Sequence, residues 1–322
     1  MTPPCRALLG ALILAAALPA ASQPAGYPNR PIRILVPFTP GGSTDILARM
    51  IGQRLQEAWG QQVIADNRPG ANGVVAADIA ARANPDGHTL MFVAIGHALN
   101  PLLQNNLPYD ADRAFSAVSL TAILPQMLAL NPRVNATTLR ELLALAKGPK
   151  PVNYATGGIG SSQHLATELL AHLARVKMNH IPYKGGNQGL LDVVAGHVDF
   201  TITTALTVVP HVQAKRVRAL AVSTARRIEV APEVPTMAEA GVPGYESVAW
   251  YGLVAPAGIP AKVLDKLAAE TVRATHSTDM KAALVRQGAI PVGNTPKEFT
   301  AFIRNEQEKY ARVIREAGIK AE

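Results

Sequence analysis

The sequence predicts an α/β protein of two lobes, each built on a parallel or mixed sheet, with a cleft between the lobes. Short apolar runs alternate with amphipathic helical patterns, and this rhythm occurs twice along the 322 residues. Hydrophobic residues make up 48% of the chain, which is enough for two ordinary cores. Glycine and proline each number 25, a frequency typical of many short connections.

The first 22 residues have the layout of a secretory signal peptide. Arg6 precedes an apolar run from Ala7 to Leu18, and small residues follow as far as Ser22. This run is shorter than the roughly 20 apolar residues of a transmembrane helix. We therefore expect cleavage near Ser22 and a mature protein in the periplasm. Cys5 is the single cysteine of the chain, so the mature protein is expected to contain no thiol and no disulfide.

The formal net charge of the chain is +8. Its lysines and arginines are scattered, without the runs and interleaved aromatic residues that indicate a nucleic-acid interface. Two interpretations remain open. The charge is either ordinary solvated surface, or it forms a mildly cationic surface that favours small anions. Neither interpretation includes a nucleic-acid partner.

Five elements form the first round of the α/β rhythm. Residues 32–38 are a continuous apolar run of strand length, and residues 44–59 carry apolar side chains at helical spacing. A second strand at 62–65, a second helix at 74–83 and a third strand at 89–95 follow. A strand–helix–strand–helix–strand order predicts a parallel sheet with helices on both of its faces.

The rhythm restarts in the second half of the chain. The predicted elements are a strand at 152–155, a helix at 162–174, a strand at 178–182, a helix at 188–195, and strands at 198–203 and 217–223. Two α/β units of similar size predict two lobes with a cleft between them.

Two connections between the lobes follow from this arrangement. Residues 117–130 are expected to cross to the second lobe, and the proline-rich residues 230–244 to return. Helices at 260–276 and 296–317 then complete the first lobe. The predicted lobes are residues 23–124 with 231–322, and residues 125–230.

A glycine-containing loop joins the first strand to the first helix. Its residues are Thr39, Pro40, Gly41, Gly42, Ser43, Thr44 and Asp45. A helix N-terminus presents unpaired amides and partial positive charge to anions, and glycine lets the backbone approach a ligand closely. The loop is therefore a candidate anion site. The alternative is an ordinary helix start, capped by Ser43 or Thr44, with Asp45 complementing the helix dipole.

A second loop of the same form joins a strand to a helix in the other half. Its candidate ligand contacts are Thr156, Gly157, Gly158, Ser161 and Ser162. Neither loop contains the Gly-Lys-Ser/Thr of a nucleotide P-loop, and the dinucleotide fingerprint is incomplete. We therefore expect no nucleotide and no other cofactor. Open α/β sheets bind ligands beyond the carboxyl ends of their strands, so both loops should face one cleft and hold a small carboxylate.

Four other residues near strand ends are candidate ligand contacts: His97, Lys184, Thr203 and Thr204. The structural alternatives are a packed polar side chain for His97 and a solvated loop charge for Lys184. The chain has no His-Glu-x-x-His, no other close histidine and carboxylate spacing, and no Gly-x-Ser-x-Gly nucleophile turn. We therefore expect neither a metal site nor catalysis.

Ordered segments throughout the mature chain match one pattern. They are Tyr27–Ile32, the Pro-Gly-Gly-Ser-Thr-Asp loop, Asp66–Gly73, Leu107–Asp110, Pro182–Gly186, Pro235–Gly241 and Trp250–Pro260. On these segments the chain resembles the solute-binding proteins of tripartite tricarboxylate transporters, also called Bug receptors.

The resemblance implies a type II periplasmic-binding-protein fold, in which two lobes joined by two crossovers close on a ligand. It also implies that the loop at 39–45 holds a ligand carboxylate from the first lobe. The loop at 156–162 and His164 would hold it from the second lobe. Residues 201–204 depart from the usual aromatic and Asp/Asn run, so a dicarboxylate, an aromatic acid and an amino acid all remain open as ligands.

The resemblance further implies a receptor that delivers its ligand to membrane permease subunits and performs no chemistry on it. We expect this receptor to be a monomer. The alternative is a periplasmic ligand sensor that partners a two-component kinase, because a sensor would use the same cleft.

Overall fold

The computed structural model describes residues 26–317 apart from residue 287. The predicted signal peptide, its cleavage position and Cys5 lie outside the described residues. Within the described part, no helix has both the length and the apolar character that crossing a membrane requires.

The N-terminal half of the fold begins with three parallel strands. Its elements in chain order are β1 (Ile32–Val36), α1 (Ser43–Trp59), β2 (Val63–Asn67), α2 (Val74–Ala81), β3 (Thr89–Ala94), α3 (Gly96–Leu103) and β4 (Phe115–Leu130). β1 lies between β2 and β3 and pairs with both. Ile34 and Leu35 point to opposite faces of β1, and both are fully buried in different cores. The strand is apolar throughout because helices cover both faces of the sheet.

A second α/β unit follows. Its elements are α4 (Leu139–Ala146), β5 (Asn153–Thr156), α5 (Ser162–Ala174), β6 (Asn179–Pro182), α6 (Gly186–Ala195), β7 (Phe200–Thr204), α7 (Ala205–Gln213) and β8 (Arg218–Val222). β5 lies between β6 and β7 and pairs parallel with both. The carboxyl ends of these strands therefore lie at one edge, where α5, α6 and α7 begin.

The C-terminal part returns to the first half. It contains β9 (Val248–Pro256), α8 (Ala261–His276), α9 (Thr278–Arg286), β10 (Ile290–Pro291) and α10 (Pro296–Ala317). β9 lies between β3 and β4 and runs antiparallel to both. The first sheet is therefore mixed, and its centre is built from strands distant in sequence.

The long strand β4 belongs to both halves. Its residues 115–125 pair with β9 in the first sheet, and its residues 126–130 pair with β7 in the second. β8 pairs with the same C-terminal part of β4. Pro125 marks the change of partner, and proline removes a backbone donor there. The predicted first crossover is thus a continuous strand.

Separate hydrophobic cores lie on the faces of the two sheets. Fully buried Phe92 belongs to a first-half core, and fully buried Phe200 belongs to a second-half core. Residues 231–245 were predicted to belong to the first lobe. In the structure, Met237 and Tyr245 pack in the same core as Phe200. The chain therefore re-enters the first half at β9, because the apolar side chains before β9 are buried against the second sheet.

The predicted two-lobed α/β class is confirmed by this topology. The predicted strands and helices from residue 32 to residue 95 occur within a few residues of their expected bounds. Sequence reasoning missed α3, α4, α7, α9 and β9. These helices have eight or nine residues, so each contributes only a short periodic signal.

Candidate functional site

A narrow cavity lies where the two halves meet, and both glycine loops contribute to its wall. Its volume is about 30 Å³. The first half supplies Phe38, Thr39, Gly42, Ser43, Thr44, Asn72, Ala94, Ile95, Gly96 and Tyr251, and the second half supplies Ser161, Ser162, Gln163, Gly186, Asn187, Thr203 and Thr207. We call this the inner cavity. Its described lining contains hydroxyl, amide and apolar groups but no Asp, Glu, Lys, Arg or His.

Five of the described helices begin at the wall of the inner cavity. The lining residues at or beside these helix starts are Gly42 and Ser43 for α1, Gly96 for α3, Ser162 for α5, Gly186 for α6, and Thr203 for α7. Each helix N-terminus leaves amides without an intrahelical partner and carries a partial positive charge. The cavity is therefore electropositive without containing a cationic side chain.

The first glycine loop is held in shape by a buried carboxylate. Asp45 is 4% exposed, and it accepts hydrogen bonds from the Gly41 amide, Arg49 Nε and Asn67 Nδ2, each at 3.0 Å. Burial opposes its ionisation, but the donors of Arg49, Gly41 and Asn67 hold the Asp45 pKa below its ordinary value. The Asp45 side chain therefore holds the loop in shape through these three hydrogen bonds, and it does not line the inner cavity.

The second glycine loop is held by side chains behind it. Ser161 caps α5 by accepting a hydrogen bond from the His164 amide at 3.3 Å. His164 Nδ1 accepts a hydrogen bond from the Gly160 amide at 3.3 Å. Thr156 Oγ1 accepts one from the Gly158 amide at 3.1 Å. His164 thus supports the loop rather than lining the inner cavity.

His164 must be neutral to accept this hydrogen bond. Its ring lies against the His180 ring, with 4.5 Å between centroids, and His180 Nε2 lies 2.6 Å from Thr156 Oγ1. Burial lowers the pKa of His164 to about 4. Burial, with the neighbouring His164, also lowers the pKa of His180 to about 4, although Glu168 opposes this shift. Both rings are therefore uncharged at neutral pH.

A larger space adjoins the inner cavity, with Phe38 and Asn72 on the wall of both. Its volume is about 320 Å³. The remaining lining residues are Gly70, Ala71, Leu103, Gln104, Gly157, Gly158, Ile159, Pro182, Tyr183 and Lys184. We call this the outer cavity. Its wall is mainly apolar, and exposed Lys184 is the one Lys, Arg, His, Asp or Glu among the described lining residues.

The two halves contact each other directly across the cleft. The hydroxyls of Ser43 and Thr204 are hydrogen-bonded to each other, and Asn187 Nδ2 donates to the Pro40 carbonyl at 3.3 Å. Gly185 makes close approach possible, because a Cβ at this position would lie 3.0 Å from the Thr39 amide nitrogen. The described conformation is therefore closed.

The predicted site residues fall into four groups. Thr39, Gly42, Ser43, Thr44, Ser161, Ser162 and Thr203 line the inner cavity, and Gly157, Gly158 and Lys184 line the outer cavity. Pro40, Gly41, Asp45, Thr156, His164 and Thr204 lie behind or beside these walls and make the contacts described above. His97 lines neither of these cavities. Its ring lies 5.0 Å from that of Phe115, and burial lowers its pKa to about 4.

Several lining residues were not found by sequence reasoning. They include Phe38, Asn72, Gln163, Asn187 and Tyr251. Asn72 had a usable signal, since it lies between glycines in Gly70-Ala71-Asn72-Gly73 and adopts a left-handed φ of 49°. Tyr251 had no such signal, because its position depends on the long-range pairing of β9. Among the described residues, no group of three or more His, Cys, Asp or Glu side chains is arranged to hold a metal ion.

Two α/β lobes that close over a cavity walled by helix N-termini define a solute-binding protein of the periplasmic-binding class. The sequence pattern of the family described as "Tripartite tricarboxylate transporter family receptor" matches residues 47–319. The chain belongs to this family, so the predicted family is confirmed.

Known relatives resemble the chain along almost its whole length. The chain is 36% identical to protein BugT of Bordetella pertussis over 321 residues, which cover 98% of this chain and 97% of BugT. Its structure resembles R. palustris Rpa4515 with adipate at a TM-score of 0.89 and 34% identity, covering 92% of this chain and 100% of that one. It also resembles MatC from Rhodopseudomonas palustris with bound malate, at a TM-score of 0.85 and 32% identity, covering 89% and 100%.

Proposed function

We propose that this protein is an extracytoplasmic receptor that captures a small carboxylate and delivers it to the membrane subunits of a tripartite tricarboxylate transporter. The observation that carries the proposal is the convergence of five described helix N-termini on one cavity. An anion there is stabilised by fixed dipoles and amides, each helix contributing about 0.3–1 kcal/mol at exposed sites and up to about 2 when partly buried. The described lining adds no carboxylate that would repel it.

Hydroxyl groups complete the anion site on both sides of the cleft. Thr39, Ser43 and Thr44 lie on one wall, and Ser161, Ser162 and Thr203 lie on the other. Thr39 Oγ1 is buried and has no hydrogen-bond partner among the described residues. A carboxylate oxygen would accept a hydrogen bond from this hydroxyl, and hydrogen bonds to an ionised acceptor are about twice as strong as neutral ones. The adipate and malate held by two related proteins support a carboxylate as the ligand class.

Closure of the lobes is the proposed capture step. We propose that the hinge lies at residues 124–126, where β4 changes its partner strand, and at residues 247–249, where β9 begins. A ligand can favour the closed form only through contacts that it makes there and loses in the open form. The inner cavity is walled by both halves, so its contacts meet this condition. We propose that lobe 1 comprises residues 23–124 with the C-terminal part, and that residues 1–22 direct export to the periplasm.

A thermal-shift screen of carboxylates, followed by calorimetry, tests this function. A ligand at one hundred times its Kd raises the apparent stability by about 2.7 kcal/mol. Gly42 has φ −82° and ψ 167°, which any residue adopts, so Gly42→Leu should fold normally and obstruct the inner cavity. Ala144→Leu, at an exposed position of α4, is the matched control.

We expect carboxylate binding to be lost in Gly42→Leu and retained in Ala144→Leu. Equal affinity of both variants would refute the assignment of the cavity. Absence of binding by every carboxylate in the screen would refute the proposed function itself.

A further inference from the structure

Two leucines of the second half are buried in the hydrophobic cores of the first half. Leu165 of α5 is 2% exposed and belongs to the core that contains Leu35 and Trp250. Leu206 of α7 is 6% exposed and belongs to the core that contains Ile34. Every other described member of these two cores lies before residue 125 or after residue 248. The two cores of the second half, in contrast, contain only residues between 127 and 245.

The two leucines lie on opposite faces of the first sheet. Ile34 and Leu35 point to opposite faces of β1, and each shares its core with one of the leucines. On one face, α5 contacts β9 and α10. On the other face, a Cβ at Gly288 would lie 3.7 Å from Cβ of Ala205, the first residue of α7. The second half therefore holds the edge of the first sheet from both sides.

Each leucine lies close in sequence to a contact that crosses the cleft. Thr204, which is hydrogen-bonded across the cleft, stands two residues before Leu206. Gly160, five residues before Leu165, lies against Leu103 of the first half, because a Cβ at Gly160 would be 2.5 Å from Leu103 Cδ1. Consecutive Cα atoms are about 3.8 Å apart. Separation of the lobes at these contacts therefore has to draw the starts of α5 and α7, with their leucines, away from the first sheet.

We propose that Leu165 and Leu206 are positioning residues that set the ligand affinity of the receptor by stabilising its closed form. Neither leucine lines the inner or the outer cavity, so neither needs to touch the ligand. Burial of a leucine side chain stabilises the state in which it is buried. A ligand that requires the closed form binds more weakly when this form is less populated. The inference rests on the proposed function, since it concerns closure of the same cleft.

Calorimetry with adipate and malate as probes measures the effect on affinity. For each probe that binds, we expect Leu165→Ala and Leu206→Ala each to raise the Kd about tenfold. The double variant should raise it about a hundredfold, because the two cores are separate. Leu142→Ala and Leu170→Ala remove the same atoms from a core of the second half alone and should leave the Kd unchanged. If an alanine variant fails to fold, the valine variant at that position should raise the Kd severalfold.

Disulfide trapping measures the closed population without any ligand. Ser43→Cys and Thr204→Cys place two thiols where the hydroxyls are hydrogen-bonded, and Cys5→Ser leaves these as the only thiols of the chain. With oxidised glutathione at a fixed concentration, we expect the disulfide to form about tenfold more slowly when Leu206→Ala or Leu165→Ala is added. Leu170→Ala, added to the same chain, should not change the rate.

Two outcomes would overturn the proposal. One is an unchanged Kd of a binding probe in both Leu165→Ala and Leu206→Ala, and the other is trapping at the rate of the Leu170→Ala control. A different outcome would count against the receptor function alone. If trapping were slowed in the two variants but neither probe nor any acid of the wider screen bound, the receptor function would fail while the role of the leucines in closure stood.

Discussion

Acidification from pH 7 to pH 5 should destabilise the protein through buried histidines, with His164 as the clearest case. Its pKa falls from an ordinary 6.5 to about 4 in the folded chain because burial disfavours the charged ring. The unfolded chain therefore binds a proton at a higher pH than the folded chain. The stability that the lowered pKa of His164 contributes is fully present above about pH 6.5 and is lost as the pH falls toward 4.

The size of the effect follows from this difference in pKa. A pKa lowered from 6.5 to about 4 corresponds to about 3 kcal/mol in total, of which about 2 kcal/mol is lost between pH 7 and pH 5. His97 has a similarly lowered pKa and should contribute about as much. His180 is more exposed to solvent, so its contribution is smaller. Most carboxylates titrate at lower pH, so this interval isolates the histidines.

Urea unfolding at pH 7 and pH 5 measures the loss. His164→Asn removes the titrating ring but keeps an oxygen near the position of Nδ1, where it can accept from the Gly160 amide. We expect the pH 7 to pH 5 difference to shrink by about 2 kcal/mol in this variant. His172→Gln, at an exposed position of the same helix, should leave the difference unchanged. A difference that is equal in His164→Asn and the unmodified chain would refute the reasoning.

Three further outcomes are expected. Asp45→Asn should lower the free energy of unfolding by about 1–2 kcal/mol and weaken the binding of all carboxylate ligands alike, because the Asp45 side chain holds the loop in shape. A change in ligand preference, measured by calorimetry, would contradict this role. Ser43→Ala and Thr204→Val should show a coupling of about 1 kcal/mol in a double-mutant cycle of unfolding, and additive effects would exclude a cross-cleft contact. Lys184→Met should weaken the binding of dicarboxylates severalfold relative to that of monocarboxylates. Equal changes in Kd for both ligand classes would show that Lys184 is a solvated surface residue without a ligand contact.

Local pattern was sufficient to predict much of the fold and the position of both glycine loops. Residues 44–59 and 162–174 carry helical periodicity and a clear start signal, and both form helices at those positions. The anion site also follows from local chemistry, since glycine, hydroxyl residues and a helix start are adjacent in sequence. These features need no knowledge of distant contacts.

Long-range pairing explains what the sequence did not reveal. Tyr251 reaches the inner cavity only because β9 inserts between β3 and β4. The direction of Asp45 depends on Asn67, which is 22 residues away, and the role of His164 depends on a backbone amide behind the loop. Residue type and spacing identified these side chains as polar groups near a cleft, but they could not distinguish a ligand contact from a brace.

The central place of β9 in the first sheet constrains the order in which the chain can fold. β3 and β4 are consecutive strands in the sequence, but they do not pair with each other in the sheet. β9, which begins more than 100 residues after β4 ends, lies between them. The edge of β3 that pairs with β9 therefore has no native partner until residues 248–256 are in place. Direct pairing of β3 with β4 would occupy the position that β9 takes in the native sheet, so these two strands have to stay apart until β9 joins them.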